Sequence, residues 1–166
     1  MLTLNSLCAS VARCVVVIGA VWIAATQVAA AAEPALLLDA AERGDRVAAM
    51  QLLAKGANPN TPGPDGTTAL MWAASNDDLE LVRALIKAGA NVTLKNQFGT
   101  SALTEAAIIG SAPVIEALLK AGADPNTKNP EGETPLMAVA RAGKVDAATR
   151  LLEAGADVNA KEEWGG

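Results

Sequence analysis

DGTTALMWAASNDDLELVRALIKAGANVTLKNQ, residues 65–97, is the stretch that decides the fold, because the chain repeats its pattern twice more. The spacing is constant: two series of glycines recur every 33 residues, namely Gly66, Gly99 and Gly132, and, each followed by alanine, Gly56, Gly89, Gly122 and Gly155. Self-similarity at a fixed period of this size is the sequence signature of a repeat architecture.

Residues 65–97 carry the signals of a turn followed by two short helices. Thr68 stands where an N-cap hydroxyl accepts a backbone N–H, and the first helix is expected to end near Asp77. Asp78 leads a second helix, and Gly89 follows it at the left-handed C′ position. The apolar positions of this second helix recur at helical spacing: Leu81, Val82, Leu85 and Ile86.

Helices this short cannot bury an apolar face alone, so the repeats must stack on one another. The predicted fold is an all-α solenoid of stacked helix-turn-helix units with hairpin-like turns. Its four repeats, numbered 1 to 4, span about 33–64, 65–97, 98–130 and 131–163, and residues 164–166 begin a truncated fifth.

The two ends of the array differ. Repeat 1 lacks an opening turn, as expected of a capping repeat. The last helix pair is expected to lack a covering neighbour around Val139, Ala147, Leu151 and Leu152. Two explanations are open, a fragment of a longer protein or a contact between copies through that end.

The segments GTTALMWAA, GTSALTEAA and GETPLMAVA, followed by paired aliphatic residues and by AGANVT, AGADPN or AGADVN, resemble ankyrin repeats. The resemblance covers roughly 130 residues of the chain. Two features depart from the family pattern. Asp77 replaces a mid-repeat glycine, and the histidine that usually bridges neighbouring loops is replaced by Met71, Thr104 and Met137.

Residues 1–32 are predicted to be a secretory signal peptide. An apolar run, CVVVIGAVWIAA at 14–25, precedes small residues at cleavage spacing, with cleavage expected after Ala30 or Ala32. Cys8 and Cys14 would leave with it, and export without cysteines favours a bacterial periplasm. The predicted location is therefore periplasmic or secreted. The alternative is an uncleaved membrane anchor.

Composition argues against catalysis and against nucleic acid as a ligand. The chain has no histidine and no tyrosine, and its 13 basic and 18 acidic side chains give a net charge of −5. We therefore predict no catalytic residues, no metal ligands and no cofactor. Asp77, Asp78 and Glu80 are interpreted as a helix start, and the Asn91–Thr93 sequon as part of a repeated turn.

The resemblance implies that a partner protein binds at the turn tips and at the inner, concave face of the first helices. The positions that it indicates are Asp65, Thr67, Asn76, Gln97, Phe98, Thr100, Ile109, Glu131, Glu133, Arg141 and Trp164. Phe98 and Trp164 are either anchors for the partner or fold back on their own hairpins. At least one of Ile108 and Ile109 is expected to be core.

The predicted function is a non-enzymatic, exported protein-interaction module, with no membrane association after signal cleavage. The identity of the partner and the oligomeric state stay open. Two alternatives have different consequences. In one, the repeats are the N-terminal arm of a larger exported protein whose activity lies in a missing C-terminal part; in the other, an uncleaved N-terminal helix makes the chain a membrane-anchored scaffold.

Overall fold

The computed structural model describes residues 33–162; the predicted signal peptide and Trp164 lie outside these residues. The described part is all-α. It contains eight helices: α1 (Glu33–Glu42), α2 (Arg46–Ala54), α3 (Ala69–Ser75), α4 (Leu79–Lys87), α5 (Ala102–Ile109), α6 (Ala112–Lys120), α7 (Pro135–Arg141) and α8 (Val145–Glu153). None of these helices has the length and apolarity needed to cross a membrane.

The first helices of repeats 2 to 4 begin at the hydroxyl caps that the sequence predicts. Thr68, Ser101 and Thr134 accept N–H bonds from the third residue of their helices, at 3.4, 3.2 and 3.4 Å. Asp78 caps α4 in the same way, with its Oδ1 3.0 Å from the Leu81 nitrogen. The interpretation of the acidic run 77–80 as a helix start is thereby confirmed.

A left-handed residue separates the two helices of each repeat. Gly44, Gly110 and Gly143 occupy this position in repeats 1, 3 and 4, with φ of 69°, 76° and 67°. Asp77 takes it in repeat 2 at φ 54°, the single non-glycine residue with positive φ in the described chain. Aspartate tolerates this conformation better than most residues, so the turn survives the substitution at some cost in strain.

Stacking arranges the helices in two rows. The first helices α3, α5 and α7 pack against one another, and the second helices α2, α4, α6 and α8 form the other row. Between the rows lies the core, in which Leu70, Leu103, Leu85 and Leu118 are almost completely buried. Alanines on the first helices let neighbouring repeats approach closely.

The expectation of an uncovered last helix pair is wrong for most of the residues named. Val139, Ala147 and Leu151 are fully buried, in helices α7 and α8 that pack against each other and against α5 and α6 of repeat 3. Leu152 does point outward and is 45% exposed. Leu136 is only partly buried, although its equivalents in repeats 2 and 3 are core.

Asparagine side chains supply bonds between neighbouring repeats. Asn60 donates to the Gly89 carbonyl at 2.9 Å and accepts from the Asn91 N–H at 2.6 Å. Asn126 repeats this clamp with Gly155 and Asp157, at 3.2 and 2.7 Å.

The equivalent residue between repeats 2 and 3 is Thr93, whose hydroxyl turns back to Asn91 at 2.8 Å. Threonine is too short to form the clamp. The Lys95 ammonium instead reaches across this interface to the Lys128 carbonyl at 2.9 Å. Thr104, at the usual histidine position, bonds to Ser101 of its own repeat.

Repeats 1 and 2 are further joined by an ion pair and by a hydrogen bond from an asparagine side chain. The Arg46 Nε lies 2.7 Å from Asp78 Oδ2, and the carboxylate raises the pKa of the arginine. Asn76 Nδ2 donates to the Ala41 carbonyl at 2.9 Å. Asp78 therefore caps α4 and also receives a side chain from the preceding repeat.

Asn126→Thr is expected to lower the free energy of unfolding by about 1 kcal/mol, because two backbone groups lose their partner across the last interface. The matched variant Thr93→Asn should raise it, since it creates the clamp that repeats 2 and 3 lack. Urea unfolding followed by circular dichroism measures both. Equal midpoints for both variants and the wild type would show that the clamps do not stabilise the stack.

Asp78→Ala is expected to cost up to about 2 kcal/mol of stability, because α4 loses its N-cap and Arg46 loses its anion. Arg46→Gln is the matched control. It keeps the cap and removes only a half-exposed ion pair, which is worth less than about 1 kcal/mol. Thermal unfolding of both variants measures these losses of stability. A larger loss for Arg46→Gln than for Asp78→Ala would contradict the greater contribution assigned to the cap.

Candidate interaction surface

Asparagine side chains hold the second and third turn tips, at 97–98 and 130–131. Asn96 Oδ1 accepts from the Phe98 and Thr100 nitrogens, both at 3.0 Å, and the Asn96 N–H closes the hairpin on the Thr100 carbonyl. In the third tip, Asn129 Oδ1 accepts from the nitrogens of Glu131 and Glu133, at 3.1 and 2.8 Å. The tip backbone is thus fixed before any partner arrives.

The first tip, at 64–65, uses an aspartate instead. Asp65 accepts from the Thr67 N–H at 3.0 Å and from its hydroxyl at 2.7 Å, and these bonds lower the pKa of Asp65. Thr67 is itself buried and also accepts from Asn96 Nδ2. The geometry makes Thr67 a structural residue of the tip, out of reach of a partner.

Neighbouring tips are joined differently along the array. The Gln97 N–H donates to the Asp65 carbonyl at 2.8 Å, which links the first and second tips. Pro130 stands in the equivalent place of the third tip and has no N–H to donate. Its ring packs on Gly99, where an added Cβ would lie 2.6 Å from Pro130 Cδ. The second and third tips are therefore joined by close packing.

Phe98 projects from the second tip with 61% of its surface exposed. Of the two alternatives for this residue, the outward orientation is the one observed. Gln97 and Glu131 are also exposed, whereas Thr100 is partly buried. The structure thus leaves an aromatic ring on an ordered turn.

The expectation that Ile108 or Ile109 belongs to the core is wrong. They are 53% and 41% exposed, at the C-terminal end of α5 just before the left-handed Gly110. The turn changes the chain direction there, so neither side chain reaches between the helix rows. In the equivalent positions repeat 2 has Ser75 and Asn76, and Asn76 is committed to its bond with Ala41.

The structure brings the end of α7 next to the third tip. The Arg141 guanidinium pairs with Glu133 Oε1, while Asn129 Nδ2 donates to Glu133 Oε2 at 3.3 Å. The ends of the first helices and the tips thus lie on one side of the repeats. We call this side the recognition face and define it by Gln97, Phe98, Ile108, Ile109, Glu131 and Arg141.

Glu105 also lies on this side, one helical turn before Ile108, and sequence reasoning missed it. Burial raises the pKa of Glu105, and polar contact with the Ser75 hydroxyl of repeat 2 partly offsets the rise. The available signal was the spacing, which puts Glu105 three residues before Ile108 and four before Ile109 on one short helix. Trp72 precedes Glu105 by one period and packs partly on the core.

An open groove of about 690 Å³ lies at the turns between first and second helices. Asp77, Lys144 and Asp146 line it together with small and apolar residues. Within residues 33–162, no cluster of three or more histidine, cysteine or acidic side chains could hold a metal ion.

Comparison with known proteins agrees with the repeat pattern. Two overlapping segments, residues 37–129 and 78–162, match the family model described as ankyrin repeats (3 copies). No curated protein matches the sequence of this chain.

The raised pKa of Glu105 predicts a pH-dependent stability difference. Its stabilising contribution is complete below the ordinary value of 4.5 and is lost as the pH rises through the higher folded-state pKa. Glu105→Gln is therefore expected to be more stable than the wild type at pH 7, and this gain should be lost as the pH falls through the raised folded-state pKa to below 4.5. Thermal unfolding at both pH values measures this. A gain that grows in acid would contradict the assigned burial.

Proposed function

This chain belongs to the ankyrin-repeat family, whose repeats indicate a protein–protein interaction module, and we propose that it is a non-enzymatic, exported module that binds its partner through the recognition face. The observation that carries the proposal is the exposure of Phe98, Ile108 and Ile109 on one side of a backbone fixed by hydrogen bonds.

These three side chains have the properties of a binding anchor. Aromatic residues are enriched among the few interface positions that dominate binding energy. Burying most of an exposed phenylalanine contributes roughly 2 kcal/mol. Because Asn96 already orders the turn, little conformational entropy is lost when Phe98 is covered.

The absence of histidine and tyrosine from the sequence supports a role without catalysis. The commonest general base is missing, and so is any Ser-His or Cys-His nucleophile pair. Three carboxylates of the described chain have structural roles: Asp78 caps a helix, Asp65 braces a tip and Glu133 forms an ion pair. Binding is the function that this inventory supports.

Export is the second part of the proposal. It rests on the apolar run at 14–25 and the small residues up to Ala32. Removal of residues 1–32 would also remove both cysteines. The remaining chain could form no disulfide and would suit an oxidising compartment. The partner is then a protein of the periplasm or of the extracellular space.

Site-specific photo-crosslinking tests the binding surface. Purified protein with benzoylphenylalanine at Phe98 or Ile109 is irradiated in an extract of the source organism. Each position should yield the same crosslinked species. Val47, an equally exposed apolar residue on α2 in the other helix row, is the matched control and should not yield it.

Two results would overturn this binding site. A species captured equally well from Val47 would indicate non-specific adhesion. A species captured from Leu152, at the outer end of repeat 4, and not from Phe98 would move the interface to the end of the array.

Intact mass after cell fractionation tests export. The full chain with a C-terminal tag is expected in the periplasm of a bacterial host, shortened by residues up to Ala30 or Ala32. An uncleaved chain in the membrane fraction would contradict export and favour the anchored scaffold. Changing Ala30 and Ala32 to bulky residues is the matched control, which should block the shortening.

A further inference from the structure

The first-helix row of repeats 2 to 4 is almost free of charge. Helices α3, α5 and α7 contain only two charged side chains, Glu105 and Arg141. Arg141 is occupied by Glu133 beside its own tip. Glu105 is thus a single negative charge in the middle of a neutral surface.

Every helix that packs against α5 leaves Glu105 without a counter-ion. α3 presents the Ser75 hydroxyl, and α7 places Ala138 at the repeat position equivalent to Glu105. On α6, Glu116 and Lys120 pair with each other. In the described chain no basic group lies within ion-pair distance of the Glu105 carboxylate.

An unpaired carboxylate that is half withdrawn from water is costly, and the structure shows nothing that offsets the cost apart from Ser75. Its position is nevertheless specific. Helical spacing of three and four residues places Ile108 and Ile109 on the same face as Glu105. An acidic group and an exposed apolar pair therefore lie side by side on the recognition face.

Given the proposed function, on which this inference rests, we propose that the partner presents a basic side chain to Glu105 and an aliphatic side chain to Ile108 and Ile109. A guanidinium suits the site best, because it can donate two parallel N–H bonds to one carboxylate. Partial burial strengthens such a pair relative to one at a fully solvated surface. An acidic or neutral polar segment would leave the carboxylate buried and unpaired.

Peptide selection provides the test without knowledge of the natural partner. The purified protein and its Glu105→Gln variant are each used to select from a library of random 12-residue peptides on phage. Wild-type clones are expected to be enriched in arginine or lysine next to an aliphatic residue. That enrichment should disappear with Glu105→Gln.

A synthetic peptide from the selection then gives the magnitude. We expect about tenfold weaker binding to Glu105→Gln in fluorescence anisotropy at low salt, and a similar loss when citrulline replaces the peptide's arginine. Glu80→Gln, an exposed carboxylate on α4 in the other helix row, is the matched control and should change affinity less than twofold.

Two outcomes distinguish the role proposed for Glu105 from the proposed function on which it rests, binding through the recognition face. Selected peptides that compete with one another, depend on Phe98 and Ile109, and show no preference for basic residues would overturn the role of Glu105 and leave the recognition face intact. Peptides unaffected by changes at Phe98, Ile109 and Glu105 would overturn the binding site and the inference together.

Discussion

No single repeat of this protein can bury its own apolar face, and the whole structure follows from that constraint. The helices of repeats 2 to 4 are seven to nine residues long, too short to be stable in isolation. Stability comes from the contact of each repeat with the next, through leucines such as Leu85 and Leu118 and through alanines that permit close approach. The surface that results is regular, and its chemistry is decided by the residues that stacking leaves free.

The hydrogen bonds and ion pairs that join neighbouring repeats differ from one interface to the next. Repeats 1 and 2 share the Arg46–Asp78 pair, the Asn76 bond and the Asn60 clamp. Between repeats 2 and 3, Thr93 cannot form the clamp. Pro130, one interface further on, cannot donate to the second tip. Phe98 therefore lies on the tip that is hydrogen-bonded to the first tip but only packed against the third. Its turn is held chiefly by hydrogen bonds to Asn96.

Local signals predicted the helix starts well, because a cap or a left-handed turn is decided by a few adjacent residues. Thr68 and Asp78 cap their helices and Asp77 lies in the turn that ends the first helix of repeat 2, as the sequence indicates. Side-chain direction was harder to predict. Apolar character suggested a core position for at least one of Ile108 and Ile109, yet both are exposed before the turn at Gly110.

Burial and ion pairing that depend on two neighbouring repeats could not be predicted from the sequence of a single repeat. The last helix pair was expected to lack a covering neighbour around Val139, Ala147, Leu151 and Leu152, but the first three of these side chains are buried in helices that pack against each other and against repeat 3. The isolation of Glu105 was missed for the same reason. It depends on Arg141 being engaged by Glu133 and on Ser75 lying opposite, and neither is visible in a linear pattern.

We propose that partners are bound by the tips and first-helix ends of the stacked repeats. Hydrogen–deuterium exchange of the protein with and without a captured partner tests this claim most directly. Slower exchange should be confined to residues 96–109 and 129–142, with the second helices α2, α4 and α6 unchanged. Protection concentrated on those second helices, or at the outer end of repeat 4, would contradict it.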